Sequence, residues 1–440
     1  MKYANILLTC SFFVLITLVT SSCSINKKIS KQATATLLKD SAILPAHLGI
    51  SIYEPATEKY WYNHNAEKYF IPASNTKLFS LYAGMKYLGD SIPAAFYRED
   101  AEAFYLFPAG DPTFLNEEYS YQPLLAKLKT TTKQIVIDDG HWRENPLGRG
   151  WPWDDYSPYY TTERAALPVF GDAVNISGNV LNNTVSPSYF KNSLVWDSTK
   201  NITQKTADVE REISENKFMI NAAAISNTAT ATFITNNGKT NYLILADSLK
   251  KNIRQQNSGT KLPVGLSKLY SQPADSLFKP MMHRSDNFFA EQTLLMASNE
   301  KLGYMDEGAM ITYILQNDLA AIPQKPKWVD GSGLSRYNLF TPQSLVFLLN
   351  KLKNDFGLPR LQRIMATGGE GTIRAYYQTE AGFIWAKTGT LSNNCALSGY
   401  LVTKKGKLLI FSVLANNYPT SATPVRRAIE KFLQSLRNDF

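Results

Sequence analysis

The chain is poor in the side chains on which most hydrolytic and metal chemistries depend, with 3 cysteines and 4 histidines in 440 residues. It contains no His-Glu-x-x-His, and Cys23 and Cys395 stand far apart, so the sequence offers no zinc donor set. A Ser-His-Asp hydrolase is disfavoured as well. There is no Gly-x-Ser-x-Gly elbow, and His47, His64, His141 and His283 occur in unrelated contexts. Cys10 falls in the leading apolar segment and would leave with it, and once Cys23 carries a lipid only Cys395 remains, so the mature chain can form no intrachain disulfide. Cys395 reads as a small buried side chain and His283 as a packing or surface residue.

An apolar content of 44% over this length indicates a globular protein of two or more domains. The formal charge of +9 suits an anionic cell wall or lipid headgroups, and equally a solvated basic face. The lysines are scattered, which gives nucleic acid no footprint. Lys2, the apolar stretch Ile6 to Val19 and the small residues Thr20-Ser21-Ser22 form an export signal over residues 1–22. The cysteine that follows resembles the acylated residue of a bacterial lipoprotein lipobox, with Thr20 departing from the usual leucine. Cys23 is then the lipidation site and Ser24 to Lys28 begin a polar tether, the alternatives being a cleaved soluble form or an uncleaved anchor.

Three motifs occur in order: Ser74-Asn75-Thr76-Lys77, Ser285-Asp286-Asn287 and Lys387-Thr388-Gly389. Ser-x-x-Lys alone is weak, because the chain holds eight such matches. Ser74 differs in its setting, between Ile71-Pro72-Ala73 and the apolar helical run Leu78 to Leu88. A helix makes i and i+3 neighbours on one face, so Ser74 Oγ and Lys77 Nζ can meet. A serine hydroxyl needs an adjacent base, and a lysine serves if burial or nearby cations lower its pKa. Ser74 is then the nucleophile and Lys77 the general base of an acyl transfer. Ser285-Asp286-Asn287 opens a helix expected over Phe288 to Ala297, and Lys387-Thr388-Gly389-Thr390 lies in a strand-like context. The same trio occurs in class A β-lactamases and penicillin-binding proteins.

Between the first two motifs the pattern is mostly β. Strands are expected at Leu48 to Tyr53, Lys59 to Tyr62, Ala103 to Phe107, Gln134 to Ile137, Val174 to Val180, Phe218 to Ala223, Ala229 to Thr235 and Tyr242 to Leu245. Asn236-Asn237-Gly238 reads as a hairpin turn. Helices are expected within Ser298 to Leu319, at Pro342 to Leu352 and at Ser421 to Arg437. An insertion into one domain accounts for the separation of the two serines.

On these motifs, with Gly110-Asp111-Pro112-Thr113-Phe114, Gly150 to Asp155 and Asp330 to Arg336 as secondary signatures, the chain resembles the low-molecular-weight class C penicillin-binding proteins, D-alanyl-D-alanine carboxypeptidases and endopeptidases. The resemblance implies a mixed α/β (α+β) fold with a β-lactamase/transpeptidase-like helix–sheet–helix core. Residues 23–92 and 261–440 form that core and residues 93–260 the inserted β-rich domain or domains. It further implies that Ser74 attacks the penultimate D-Ala carbonyl and Lys77 takes its proton. Ser285 relays that proton to the leaving amine, while Asn287 holds the substrate amide and the lysine. Lys387 and Thr388 bind the terminal carboxylate, Gly389 lets the strand approach the substrate, and the N–H groups of Ser74 and Thr390 bind the oxyanion. Asp155 and Arg336 face the two ends of the D-centre of diaminopimelate, or serve as a turn residue and an ion-pair partner.

The implied partners are peptidoglycan peptides, β-lactams as inhibitors and a membrane reached through the lipid anchor; the implied location is periplasmic, and no cofactor is required. Two rivals share the motifs: a β-lactamase or esterase of the same fold, and an idle wall-binding lipoprotein. Neither Glu370, in the turn Gly368 to Thr372, nor any other acid occupies the Glu-x-x-Leu-Asn context that activates water in class A β-lactamases. Penicillin is therefore expected to acylate Ser74 and remain bound; mass spectrometry should find a lasting adduct, and fast nitrocefin turnover by purified protein would contradict this.

Overall fold

The computed structural model describes residues 26–197, 209–220 and 224–440. The export signal and Cys23 lie outside these residues. The described residues form two compact units, one from those within 26–75, 321–327 and 338–440, the other from those within 76–320 and 328–337. Among the described residues no helix is long and apolar enough to cross a membrane.

The first unit is built on a six-stranded sheet in the order Ala366–Thr367, Ile384–Leu391, Asn394–Val402, Leu408–Asn416, His47–Glu54, Lys59–His64. Every neighbour is antiparallel. The alternation of side chains along Leu408–Asn416 shows why two helices are needed. Leu409, Phe411 and Val413 join a cluster with Val425, Ile429, Phe432 and Leu433 of the C-terminal helix Ala422–Asp439. Ile410 and Leu414, one residue out of phase, are also fully buried but stand outside that cluster. The helix Pro342–Phe356 packs against this strand and His47–Glu54, and Tyr400 Oη donates to the Leu349 carbonyl at 2.6 Å. A sheet apolar on both faces is thus enclosed by helices, as the period of two requires.

Residues 26–33 are helical and continue into the π turn Thr34–Leu38, with Ile29, Ala33 and Leu37 buried in the same cluster as the C-terminal helix. The tether expected from Ser24 onward is therefore folded from residue 26. Its apolar residues at a spacing of four supply a face that can be buried.

The second unit holds a mixed five-stranded sheet, Ile253–Gln256, Gln134–Asp138, Ala103–Pro108, Ser91–Glu99, Ser267–Pro273, and two three-stranded sheets. Its helical part comprises Lys77–Tyr87, Ala274–His283, Asn287–Leu302 and Glu307–Gln316. The helix Lys77–Tyr87 is buried from Lys77 to Met85, in keeping with its mostly apolar run; Lys77 and Ser80 are the polar exceptions. Gly84 permits the close approach of its neighbours, since a Cβ there would lie 2.6 Å from both the Phe278 ring and Thr293 Cγ2. Tyr242 to Leu245, read as a strand, instead belongs to the helix Lys239–Leu249. The expected hairpin before it is a run of left-handed residues, Asn236, Asn237 and Gly238, that leads into this helix. Four residues are too few to separate the two periods, and flanking burial decided the outcome.

Leu433 is fully buried between the C-terminal helix and the first unit's sheet. Leu433→Ala is expected to cost about 2–5 kcal/mol, read as a lowered urea midpoint for the first unit.

Candidate active site

The candidate residues divide between the two units. Ser74, Lys387, Thr388, Gly389 and Thr390 belong to the first; Lys77, Ser285, Asn287, Asp155 and Arg336 belong to the second.

In the first unit, Ser74 lies in the 3-10 turn Ala73–Thr76, which the chain enters through Ala73 at φ 47°. A non-glycine residue in the left-handed region carries strain that the surrounding structure must hold. Here the neighbouring strand supplies the hold. Asn75 Nδ2 donates to the Lys387 carbonyl at 2.9 Å. A Cβ on Gly389 would lie 2.5 Å from the Pro72 carbonyl oxygen and 3.0 Å from Ser74 N, so only glycine allows the strand this close to the serine turn. The strand Ile384–Leu391 pairs on one edge with Asn394–Val402; on the other, Ala366–Thr367 reaches only Ala386 and Trp385. Beyond Ala386 that edge carries no further strand partner among the described residues. Lys387 is fully buried, with Nζ donating to the Thr388 carbonyl at 2.7 Å. Thr388 Oγ1 bonds Thr372 Oγ1 at 2.7 Å, and Arg426 donates to Thr390 Oγ1 at 2.6 Å.

In the second unit, Asp286 caps the helix Asn287–Leu302 by accepting the Phe289 N–H at 3.0 Å. Ser285, immediately before it, is held at φ 63°. Lys77 is fully buried, and its Nζ donates to Asn287 Oδ1 at 2.6 Å and to the Ser332 carbonyl at 2.7 Å. The first residue of one helix thus meets the first residue of another. Burial lowers the Lys77 pKa to about 8, against the opposing pull of Asp330, Glu291 and Asp286, which favour the charged form. Asn287 Nδ2 donates to the Tyr160 carbonyl at 2.8 Å, and Tyr160 Oη donates to Asp155 Oδ1 at 2.8 Å, so Asp155 connects to Asn287 through one tyrosine. Arg336 is exposed. A polar cleft of about 420 Å³ opens nearby, walled by Tyr159, Arg284, Glu118 and Asn175; Tyr159 and Arg284 both bond Asp286.

Sequence reading missed several participants. Asn75 sits inside the first motif but gave no sign that its amide ties the turn to the strand. Asp330 accepts N–H groups of Gly333 and Ser335 at 2.8 and 2.6 Å and the Trp151 indole at 3.0 Å, shaping the turn that carries Ser332. Glu291, four residues after Asn287 and therefore on the same helix face, was the one signal available from spacing.

The family model of the D-Ala-D-Ala carboxypeptidase 3 (S13) family matches residues 30–437. The chain belongs to this family, and is a serine-type peptidase that acts on peptidoglycan. It is 24% identical over 436 residues to the D-alanyl-D-alanine carboxypeptidase of Actinomadura sp. (strain R39), covering 87% of this chain and 80% of that protein. The crystal structure of penicillin binding protein 4 from Haemophilus influenzae matches with a TM-score of 0.72 at 20% identity, over 93% of this chain and 98% of that one. A predatory peptidoglycan endopeptidase from Bdellovibrio bacteriovorus matches at 0.52 and 17%, over 90% and 93%. The expected family and the mixed helix and sheet fold are both found.

Gly389→Ala is expected to push the strand from the serine turn and slow acylation by a fluorescent penicillin about 100-fold, the scale of one oxyanion donor lost. Circular dichroism should show the fold retained; wild-type acylation would contradict the close approach.

Proposed function

We propose that Ser74 carries the acyl group and that Lys77 is its base. Ser74 Oγ attacks the carbonyl carbon of the penultimate D-Ala while its proton passes to Lys77 Nζ. Ser285 relays that proton to the leaving nitrogen as the peptide bond breaks, and water then releases the acyl group by the reverse path. The observation that carries this reading is the Lys77 amine with Asn287 Oδ1 at 2.6 Å and the Ser332 carbonyl at 2.7 Å. A neutral amine has two N–H bonds. Spending both on these acceptors turns its lone pair to the remaining tetrahedral direction, ready for a proton. A pKa of about 8 makes that neutral form accessible near physiological pH.

Lys387 and Thr388 are proposed to bind the terminal carboxylate, and the N–H groups of Ser74 and Thr390 the oxyanion. The close approach of strand and serine turn, where a Cβ added to Gly389 would lie 3.0 Å from Ser74 N, accords with the second assignment. Asp155 and Arg336 are proposed to read the diaminopimelate centre, supported for Asp155 by its link through Tyr160 to Asn287. The reading includes export to the periplasm, lipidation at Cys23, and the boundaries 23–92, 93–260 and 261–440, supported by residue pattern and family membership. Release of D-Ala from pentapeptides, cleavage of D-Ala–diaminopimelate cross-links and acylation by β-lactams follow from the same acyl-enzyme. A penicillin binding protein 4 structure that holds a β-lactam complex, similar at TM-score 0.68, accords with the last.

Below pH 8 or so Lys77 is protonated and cannot accept the serine proton, so acylation should rise with pH and level above about 8. Ser74→Ala is expected to reduce D-Ala release about 10³-fold or more. Lys77→Arg, which keeps the charge but cannot deprotonate, should be equally inactive. Release of D-Ala by Ser74→Ala at the wild-type rate would refute the assignment.

A further inference from the structure

The helix that presents Asn287 also presents Glu291 one turn later, and this carboxylate is buried to 1% exposure. Its Oε1 accepts the Ser332 N–H at 2.7 Å. Its Oε2 faces Arg164 Nη1 at 3.5 Å, and the same guanidinium binds Glu307, Glu144 at 3.2 Å and the Asn145 carbonyl at 2.9 Å. Gly331 lies directly on the helix: a Cβ there would sit 2.8 Å from the Ala290 carbonyl oxygen and 3.0 Å from Glu291 Cα. From the other side, Ser80 Oγ donates to the Gly331 carbonyl at 2.5 Å. The Gly331–Ser332 peptide is gripped between two helices, its carbonyl by Ser80 and its N–H by Glu291, and the next carbonyl along the turn, that of Ser332, accepts from Lys77 Nζ.

We propose that Glu291 is a positioning residue for the lysine base: clamped by Arg164, it fixes the Gly331–Ser332 turn so that the Ser332 carbonyl and Asn287 Oδ1 together orient the Lys77 amine. This rests on Lys77 acting as the base for Ser74. One helix therefore controls the lysine by two routes, directly through Asn287 and through the turn by way of Glu291.

The charge of Glu291 acts in addition to its reach. Lys77 is faced by Asp286 and Glu291 from the motif helix and by Asp330 from the turn. Glu291 is faced by Arg164, Asp330 and Glu307, and Glu144 reaches the same guanidinium from beyond. Three carboxylates surround one guanidinium, so ionising all of them in a buried site is costly. Burial raises the Glu307 carboxyl well above its ordinary value, and raises Glu291 as well. Glu291 accepts N–H groups from Ser332 and Gly331 that stabilise its anion. Of the carboxylates around Arg164, Glu291 is the one that also faces Lys77, where it favours the charged amine.

Two substitutions separate reach from charge, using full-length protein and the rate of acylation by a fluorescent penicillin as a function of pH. Glu291→Gln retains an oxygen acceptor for the Ser332 N–H and removes the charge. Its acidic limb is expected to move to lower pH by roughly half a unit or more, with a plateau within about threefold of wild type. Glu291→Asp retains the charge and shortens the arm. Its limb should stay in place while the plateau falls about tenfold or more. A folded Glu291→Gln whose limb coincides with wild type, or Glu291→Asp acylating at the wild-type rate, overturns the inference while leaving the roles of Ser74 and Lys77 intact. If Glu291→Gln does not fold, the aspartate variant decides alone. Wild-type protein that forms no adduct overturns both readings.

Discussion

A lysine ammonium taken out of water is the constraint around which the second unit is arranged. Desolvation alone drives such a group toward the neutral form, and an unpaired buried amine would be too costly to keep. Here Asn287 Oδ1 and the Ser332 carbonyl satisfy its N–H groups while three acids around it oppose the desolvation. The outcome is an amine whose pKa falls to about 8. Removing the acids would leave the amine too weakly basic; removing the burial would leave it protonated.

Holding that lysine requires backbone placed with little tolerance, and the protein uses small residues to reach it. Gly331 lets a turn lie on the motif helix, and Gly84 lets the lysine's own helix meet its neighbours. In the first unit Gly389 lets a strand lie on the serine turn, where the Asn75 amide secures it to the Lys387 carbonyl. Left-handed φ at Ala73, just before the first motif, is local strain beside these contacts, and Ser285, which opens the second motif, is left-handed as well. Within the first unit, that strand belongs to an antiparallel sheet enclosed by helices.

Relatives at 24% and 20% identity span most of this chain, so the fold tolerates replacement of most side chains. Burial and period explain that tolerance: a core needs apolar volume in the correct phase rather than particular residues. Positions whose atoms must meet a specific partner have no such freedom, and the three motifs are of this kind.

Much of the chemistry was legible along the chain because it is local. Pro72 before an apolar run announces a helix start, i and i+3 spacing marks Ser74 and Lys77 as a candidate pair, and Ser285-Asp286-Asn287 announces the helix that follows. Short segments were less legible: Tyr242 to Leu245 suits either period, and burial against the rest of its unit made it helical. The residues from 26 onward looked like a tether until the C-terminal helix offered Ile29, Ala33 and Leu37 a surface. The sequence by itself determined the helix starts at the first two motifs, the alternation of the sheet and the three motifs, since each is set by residues within a few positions of one another. Only the tertiary structure decided that Lys77 meets Asn287 and Ser332, that Glu291 and Arg164 stand behind them, and that Gly389 touches the serine turn. Those contacts join residues hundreds of positions apart, and distance along a chain carries no information about distance across a core.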